Sequence, residues 1–306
     1  MTTLGNMVTE VQRRALSDLR EEVSYLGSAI TDTTSTSFSL ATGQTLGSIQ
    51  PGAFVEIDYE LMRVMSATAP SGPITVIRGY SDSTAATHAA NAVITVNPRF
   101  PAVDIIKAIN EDIDDLSAPS NGLYQMKEVT LTFIPVVQGY DLTGLSSADV
   151  MDIWEVRAHE YGPANKYPII DPSAWKIQRN ADTAVFPSGI SLTLDRGGYP
   201  GRPLRVQYKA PFTTPLVNAT DDVLGVTGLH TQAHDIPVLG APARLMQFRE
   251  LKRSFSEAQG EPRRAQEVPV GASLTASKGL LELRMQRIAA ERGRLEKMYR
   301  RQGRAV

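Results

Sequence analysis

The chain has 306 residues, 42% of them hydrophobic, and no cysteine, so it can bury a sizeable core while a disulfide framework, a thiolate metal site and a cysteine nucleophile are all excluded. Its formal net charge of −2 hides a division, because residues 244–306 carry 15 Lys and Arg against 7 Asp and Glu, whereas residues 1–243 carry 16 against 26. The first 26 residues are polar and mixed in charge, and no run of eighteen apolar residues occurs, so neither a signal peptide nor a membrane-spanning helix is expected and cytoplasmic synthesis is the simplest reading.

In chain order, Leu4, Val8, Val11, Ala15, Leu19 and Leu26 recur at helical spacing and predict an amphipathic helix of roughly six turns, ended by Gly27. A small β-module follows a Ser/Thr-rich stretch, with strands expected at Phe54–Asp58, Leu61–Met65, Ile74–Ile77 and Val93–Val96. Pro101 suits the first turn of a second helix whose stripe is Ile105, Ile109, Ile113 and Leu116. From about Lys127 to Phe212 the runs Val129–Val137, Ile153–Ala158, Trp175–Gln178, Ile190–Leu194 and Leu204–Lys209 read as strands joined by Pro/Gly-rich turns, as in a sandwich or open barrel.

Beyond Pro215 the pattern is helical. Asp221 and Asp222 can cap one helix, and Asp235 with Pro237 can start another, whose apolar face is Leu245, Phe248, Leu251, Phe255 and Ala258. Residues 261–271, with Pro262 and Pro269, form an irregular link to a last helix at about 276–301. Its predicted stripe is Leu281, Met285, Ile288, Leu295 and Tyr299, with Arg287, Arg294, Lys297 and Arg301 on the opposite side. With Arg284 these cations form the candidate partner-docking set. Because each stripe needs apolar partners, the expected fold class is α+β: a discontinuous α-helical core with two inserted β-rich modules, one small and barrel-like, one larger and sandwich-like. The expected divisions are 1–33 (core helix), 34–98 (first β-module), 99–126 (core helix), 127–215 (second β-module) and 216–306 (C-terminal helices).

Groups for chemistry are sparse. His230 and His234, four apart beside Asp235, could share a helical face as a metal pair, but no Glu stands beside His230 as a zinc-protease motif requires, and helix-end histidines explain them better. Glu56, Asp58 and Glu60 alternate around an expected hairpin, where paired carboxylates could serve a glycosidase; a solvated strand face with a polar turn is the simpler account. No Gly-x-Ser-x-Gly elbow or phosphate-cradling loop occurs. Trp154, Trp175, Tyr161, Tyr167 and Tyr199 gather in the second β-region, as core anchors or as a sugar-binding surface. The expectation is a non-enzyme with no catalytic, cofactor or metal site.

Two stretches carry a resemblance. Phe54-Val55-Glu56-Ile57-Asp58-Tyr59-Glu60-Leu61-Met62-Arg63-Val64, then Val76-Ile77-Arg78-Gly79-Tyr80 through Thr84-Ala85-Ala86-Thr87-His88, resemble a small β-module that recurs in tailed-phage structural proteins. Together with the helix around Ala108-Ile109-Asn110-Glu111 and the segment Asp235-Ile236-Pro237-Val238-Leu239-Gly240-Ala241, the chain is similar to phage head-to-tail adaptor (connector) proteins. That resemblance implies a virion structural protein: a homo-oligomeric ring, commonly a dodecamer, beneath the capsid portal protein, meeting a stopper or terminator protein of the neck and passing DNA through its lumen without reading its sequence. It further implies that C-terminal helices dock on the portal. The alternative expectation is a tail- or neck-attached carbohydrate-binding or fibre-like component.

Overall fold

The computed structural model describes residues 2–16, 21–137, 139–142, 150–159, 167–195, 200–256 and 272–299, with the backbone alone at 15–16, 247–256 and 272–273. The chain divides into two compact units, Met1–Ile113 with Thr214–Arg287, and Asp114–Thr213 with Ile288–Val306.

The first unit opens with α1 (Leu4–Leu16), which buries Leu4, Met7, Val8 and Val11 on one face. The expected six-turn helix is not formed. Glu22–Tyr25 is instead a strand, β1, antiparallel to Val93–Val96, with Val23 opposite Thr95 and Tyr25 opposite Val93. Ser24 and Leu26 point inward while Val23 and Tyr25 face out, a two-residue alternation that a strand satisfies and a helix does not. Five more strands complete a sheet: β2 (Ser37–Phe38), β3 (Phe54–Ile57), β4 (Glu60–Ala67), β5 (Ile74–Ile77) and β6 (Val93–Val96).

Their order is β1-β6-β3-β4-β5-β2, every pairing being antiparallel. The sheet curls until its edges meet, for Leu26 bridges Leu40, the Gly27 amide donates to Ser39 O at 2.8 Å and the Ala41 amide donates to Tyr25 O at 2.8 Å. Glycine is required at that seam, since a Cβ on Gly27 would lie 2.6 Å from Leu40 O. The enclosed core includes Leu26, Val55, Ile57, Met62, Ile74 and Ile94, all without exposed surface, and each such side chain contributes about 1.5–3 kcal/mol on burial.

Pro101 precedes α2 (Ala102–Leu116), whose Ile105, Ile109, Ile113 and Leu116 are fully buried. Asp222 caps the short α3 (Val223–Thr227), its carboxylate accepting from the Gly225 amide at 3.0 Å. α4 (Asp235–Ser256) begins at the expected aspartate and packs on α1. The final helix, α5, spans Ala272–Met298.

These helices are not a discontinuous core from which β-modules loop out. The six-stranded sheet closes around an apolar core of its own, and the buried side of α5 holds Ser277, Arg284 and Glu291 beside Ile288 and Leu295. A helix with that composition cannot anchor a shared apolar core; its buried polar groups need ion pairs instead. Met285, placed in the predicted stripe, is 67% exposed.

The second unit contains β7 (Gln125–Thr132), β8 (Gly139–Asp141), β9 (Asp152–Ala158), β10 (Trp175–Arg179), β11 (Ile190–Leu194) and β12 (Pro203–Ala210). They form two antiparallel three-stranded sheets, β7-β12-β9 and β10-β11-β8, and one apolar cluster draws on both, including Val156, Leu192, Leu204 and Val206. The strand expected at Val129–Val137 lies earlier, as β7. Beyond it the chain turns at Ile134, whose amide donates to the Tyr140 hydroxyl at 3.0 Å while that hydroxyl donates to Ile134 O at 2.8 Å. Pro135, which has no amide hydrogen to give a ladder, sits in that turn.

Candidate functional site

The residues that carry the phage-module resemblance converge at the end of the β3–β4 hairpin. Asp58 occupies the turn with φ of 52°, and Glu60 opens β4 with its side chain fully buried. Five donors meet the Glu60 carboxylate: Arg78 Nε at 2.6 Å and Nη2 at 2.7 Å, the Gly79 amide at 3.0 Å, the Ala86 amide at 2.9 Å and His88 Nε2 at 2.9 Å. His88 Nδ1 reaches Asp58 Oδ2 at 2.7 Å, and Arg78 also donates to Ser35 O at 2.9 Å and to Ala86 O. Gly79 adopts φ of 59° to aim its amide inward, while Tyr80 packs its ring on Phe54 at 5.2 Å.

Burial alone would raise the Glu60 carboxyl, but Arg78, His88 and the two amides outweigh it and hold the group at about 2. Burial would likewise lower His88, yet its two carboxylate partners prevail and raise it above its ordinary value. The chemistry available here is clamping. Glu60 and the His88 ring have no exposed side-chain surface and their polar atoms are engaged, while the Asp58 carboxylate, 58% exposed, reaches solvent with one oxygen bound to His88.

Glu56, the remaining member of the predicted carboxylate trio, faces out of β3 and accepts the Ala102 amide at 2.8 Å, at the first residue of α2. Burial, reinforced by the charges of Glu21 and Asp104, pushes it up to about 7, despite that hydrogen bond. Three alternating carboxyls thus meet three different fates, and none pairs with another across a cleft.

The docking set on α5 is largely engaged within the chain. Arg284 is buried, with Nε 3.0 Å from Asp112 Oδ1, and Arg244 Nε lies 3.2 Å from the same oxygen. Burial pushes the Asp112 carboxyl up while the two guanidiniums pull the other way. Arg287 holds both Asp235 oxygens and donates to Gln232 O at 3.0 Å; Arg294 grips Glu291 of the preceding turn. Lys297 is exposed, and Arg301 lies outside the described residues. Exposed Lys278, Glu282, Arg292, Glu296 and Lys297 give α5 a solvent face of mixed sign.

His230 and His234 do not form a metal pair. His230 Nδ1 accepts from the Gln232 amide at 3.3 Å, ahead of the turn Thr231–Ala233, whereas His234 is buried and its Nε2 meets Leu229 O at 2.9 Å. Among the described residues no group of three His, Asp or Glu could hold a metal ion. Of the aromatics, Tyr167 lies 3.9 Å beneath Arg205 and Trp154 4.8 Å from Lys209, so cations of the chain itself cover these rings. Trp175 packs against the sandwich core, and Tyr161 and Tyr199 lie outside the described residues.

No family model matches the chain, and no curated protein matches it. The clamp was missed in the sequence because its members stand far apart, yet the spacing of Glu60, Arg78-Gly79 and Ala86-x-His88 was the available signal.

Proposed function

We propose that the chain is a structural protein of a tailed-phage virion, a head-to-tail adaptor that assembles as a homo-oligomeric ring, commonly of twelve copies, beneath the capsid portal. The ring lets DNA pass and meets the next neck protein. The observation that supports this reading is the clamp: within the stretches that resemble the phage β-module, Glu60, Arg78 and His88 are buried and spend their polar atoms on holding the fold. A module so built serves as a stiff building block for assembly, not as a reactive centre.

The test is to mix the purified chain with portal-bearing capsids and examine them by electron microscopy and light scattering. Rings stacked on the portal are the expected outcome; a chain that stays monomeric and leaves the portal bare refutes the proposal. Reversing Lys278 and Lys297 to Glu probes the part played by α5, because Arg284, Arg287 and Arg294 have internal partners whose loss would confound the result. Portal attachment should weaken in the double variant, as it should in raised salt.

A further inference from the structure

β7 pairs on one side only, with β12. β12 alternates, placing Leu204, Val206 and Tyr208 in the core and Arg205, Gln207 and Lys209 outside. It serves β9 through odd-numbered residues, since the His159 amide donates to Pro203 O at 3.1 Å and the Met151 amide donates to Lys209 O at 2.8 Å. Its even-numbered residues therefore serve β7, because the backbone groups of an antiparallel strand alternate between its two neighbours. Their partners include Lys127, Val129 and Leu131, so Met126, Glu128, Thr130 and Thr132 aim N–H and C=O away from the sheet. Among the described residues no backbone group meets them.

The opposite edge of this sheet is covered. Ile169 bridges Arg157 of β9, the Ile170 amide donates to Val156 O at 2.8 Å and the Ala158 amide donates to Pro168 O at 3.2 Å. β7 runs for eight residues in unbroken register, without proline or bulge, so apart from Lys127 the usual guards of an edge strand are missing. Its core side is unfinished too. In β12 Leu204 and Val206 have no exposed surface, whereas Leu131 and Val129 beside them are only half-buried. The apolar row that crosses the sheet ends in the open, where one further strand would cover it.

We propose that the β7 edge binds β7 of a second copy, antiparallel about a two-fold axis normal to the sheet. Length selects that occupant: the outermost strands of the companion sheet, β10 and β8, offer five and three residues, so only another β7 matches the eight of this edge. The axis keeps both core rows on one side, which requires opposed residues of equal parity. Two such registers use nearly the whole strand. One sets Glu128 directly opposite Glu128 and is unfavourable, so the register is the other, with Val129 opposite Val129. Glu128 and Thr130 of each copy then exchange both backbone bonds with Thr130 and Glu128 of the other, Met126 does so with Thr132, and every outward N–H and C=O is used. The half-buried valines cover each other at the axis, and Lys127 lies along Leu131 with its ammonium at the rim. The two Glu128 carboxylates stand about 7–8 Å apart on the diagonal, each with Arg205 of its own chain at 3.6 Å. Backbone bonds and apolar cover carry this contact, not charge. It goes beyond the adaptor reading, since a ring closes through contacts between unlike patches and a two-fold axis joins like ones.

The chain has no cysteine, so single cysteines introduced into the full chain report on this contact without background. Opposed residues of a non-hydrogen-bonded antiparallel pair have Cα atoms about 4.5 Å apart, within disulfide reach. Val129→Cys should therefore form a covalent dimer in a glutathione redox buffer, read by non-reducing electrophoresis, and the disulfide traps even a weak pair. Lys127 lies opposite Leu131, so Lys127→Cys holds its two sulfurs about 13 Å apart along the strands and should cross-link at least about tenfold more slowly. Adding Thr130→Pro to Val129→Cys removes an outward N–H that the chain's own sheet does not use, so β12 should keep its hydrogen-exchange protection while the dimer is lost. Salt at about 500 mM should leave the Val129→Cys dimer in place. Absence of that dimer overturns the proposal, as does a Lys127→Cys dimer forming as fast or a Val129→Cys dimer that survives Thr130→Pro. Rings that seat on the portal without this cross-link would remove this inference alone and leave the adaptor reading standing.

Discussion

Replacing Glu56 by Gln tests whether burial or helix capping governs the junction between the closed sheet and α2. The Glu56 carboxyl moves from 4.5 to about 7 on folding, and a shift of that size corresponds to ~3 kcal/mol against the ionised form. A raised carboxyl means that the folded state holds more protons than the unfolded state between those values. Stability therefore falls as pH rises through that window, and the penalty is complete above about 7. Gln keeps an acceptor for the Ala102 amide and cannot ionise. It forfeits the attraction of a carboxylate for the helix N-terminus, worth about 0.3–1 kcal/mol, so the net gain at about pH 8.5 is ~2 kcal/mol and vanishes near pH 4.5. Both tryptophans lie in the second unit, which makes fluorescence the wrong probe. Amide hydrogen exchange of β3, β6 and the first turn of α2, measured in both proteins across that pH range, is the right one. A variant less protected than wild type at high pH would refute the reasoning, because it would mean that the charged cap outweighs its desolvation.

Other outcomes follow from the same structure. Glu60→Gln leaves Arg78 and His88 facing a neutral group in a buried clamp and should cost about 3–5 kcal/mol, read by exchange in β4 and β5. His88 contributes stability that is complete below its ordinary 6.5 and is lost as pH rises through its raised folded value; His88→Asn should therefore cost most in acid, and an equal cost in acid and base would show that the ring acts uncharged. Asp112→Ala strands Arg284 and Arg244 and should cost about 3–5 kcal/mol in denaturant unfolding of the first unit. Gly240→Ala should be comparably damaging, since its Cβ would fall on the Asp112 carboxylate, and a melt within a degree of wild type would show that α4 can yield there.

What local pattern could decide, it decided. The stripe of α2, the aspartate start of α4, the alternation of β12 and the turns between strands depend on residues a few positions apart, and their side-chain periods are written along the chain. Where one stretch suited two periods, only a partner could choose. Glu22–Tyr25 became a strand because β6 stood ready to pair with it, and the closing seam at Gly27 then favoured the barrel over a longer helix. The basic face of α5 misled for the same reason. Its sequence shows where cations sit around a helix, but the carboxylate that buries Arg284 is 172 residues away, and the groups that hold Glu60 come from 18, 19, 26 and 28 residues further on. A charge belongs to a surface or to an interior ion pair according to which distant segment the fold brings against it, and that choice is made only when the tertiary structure forms.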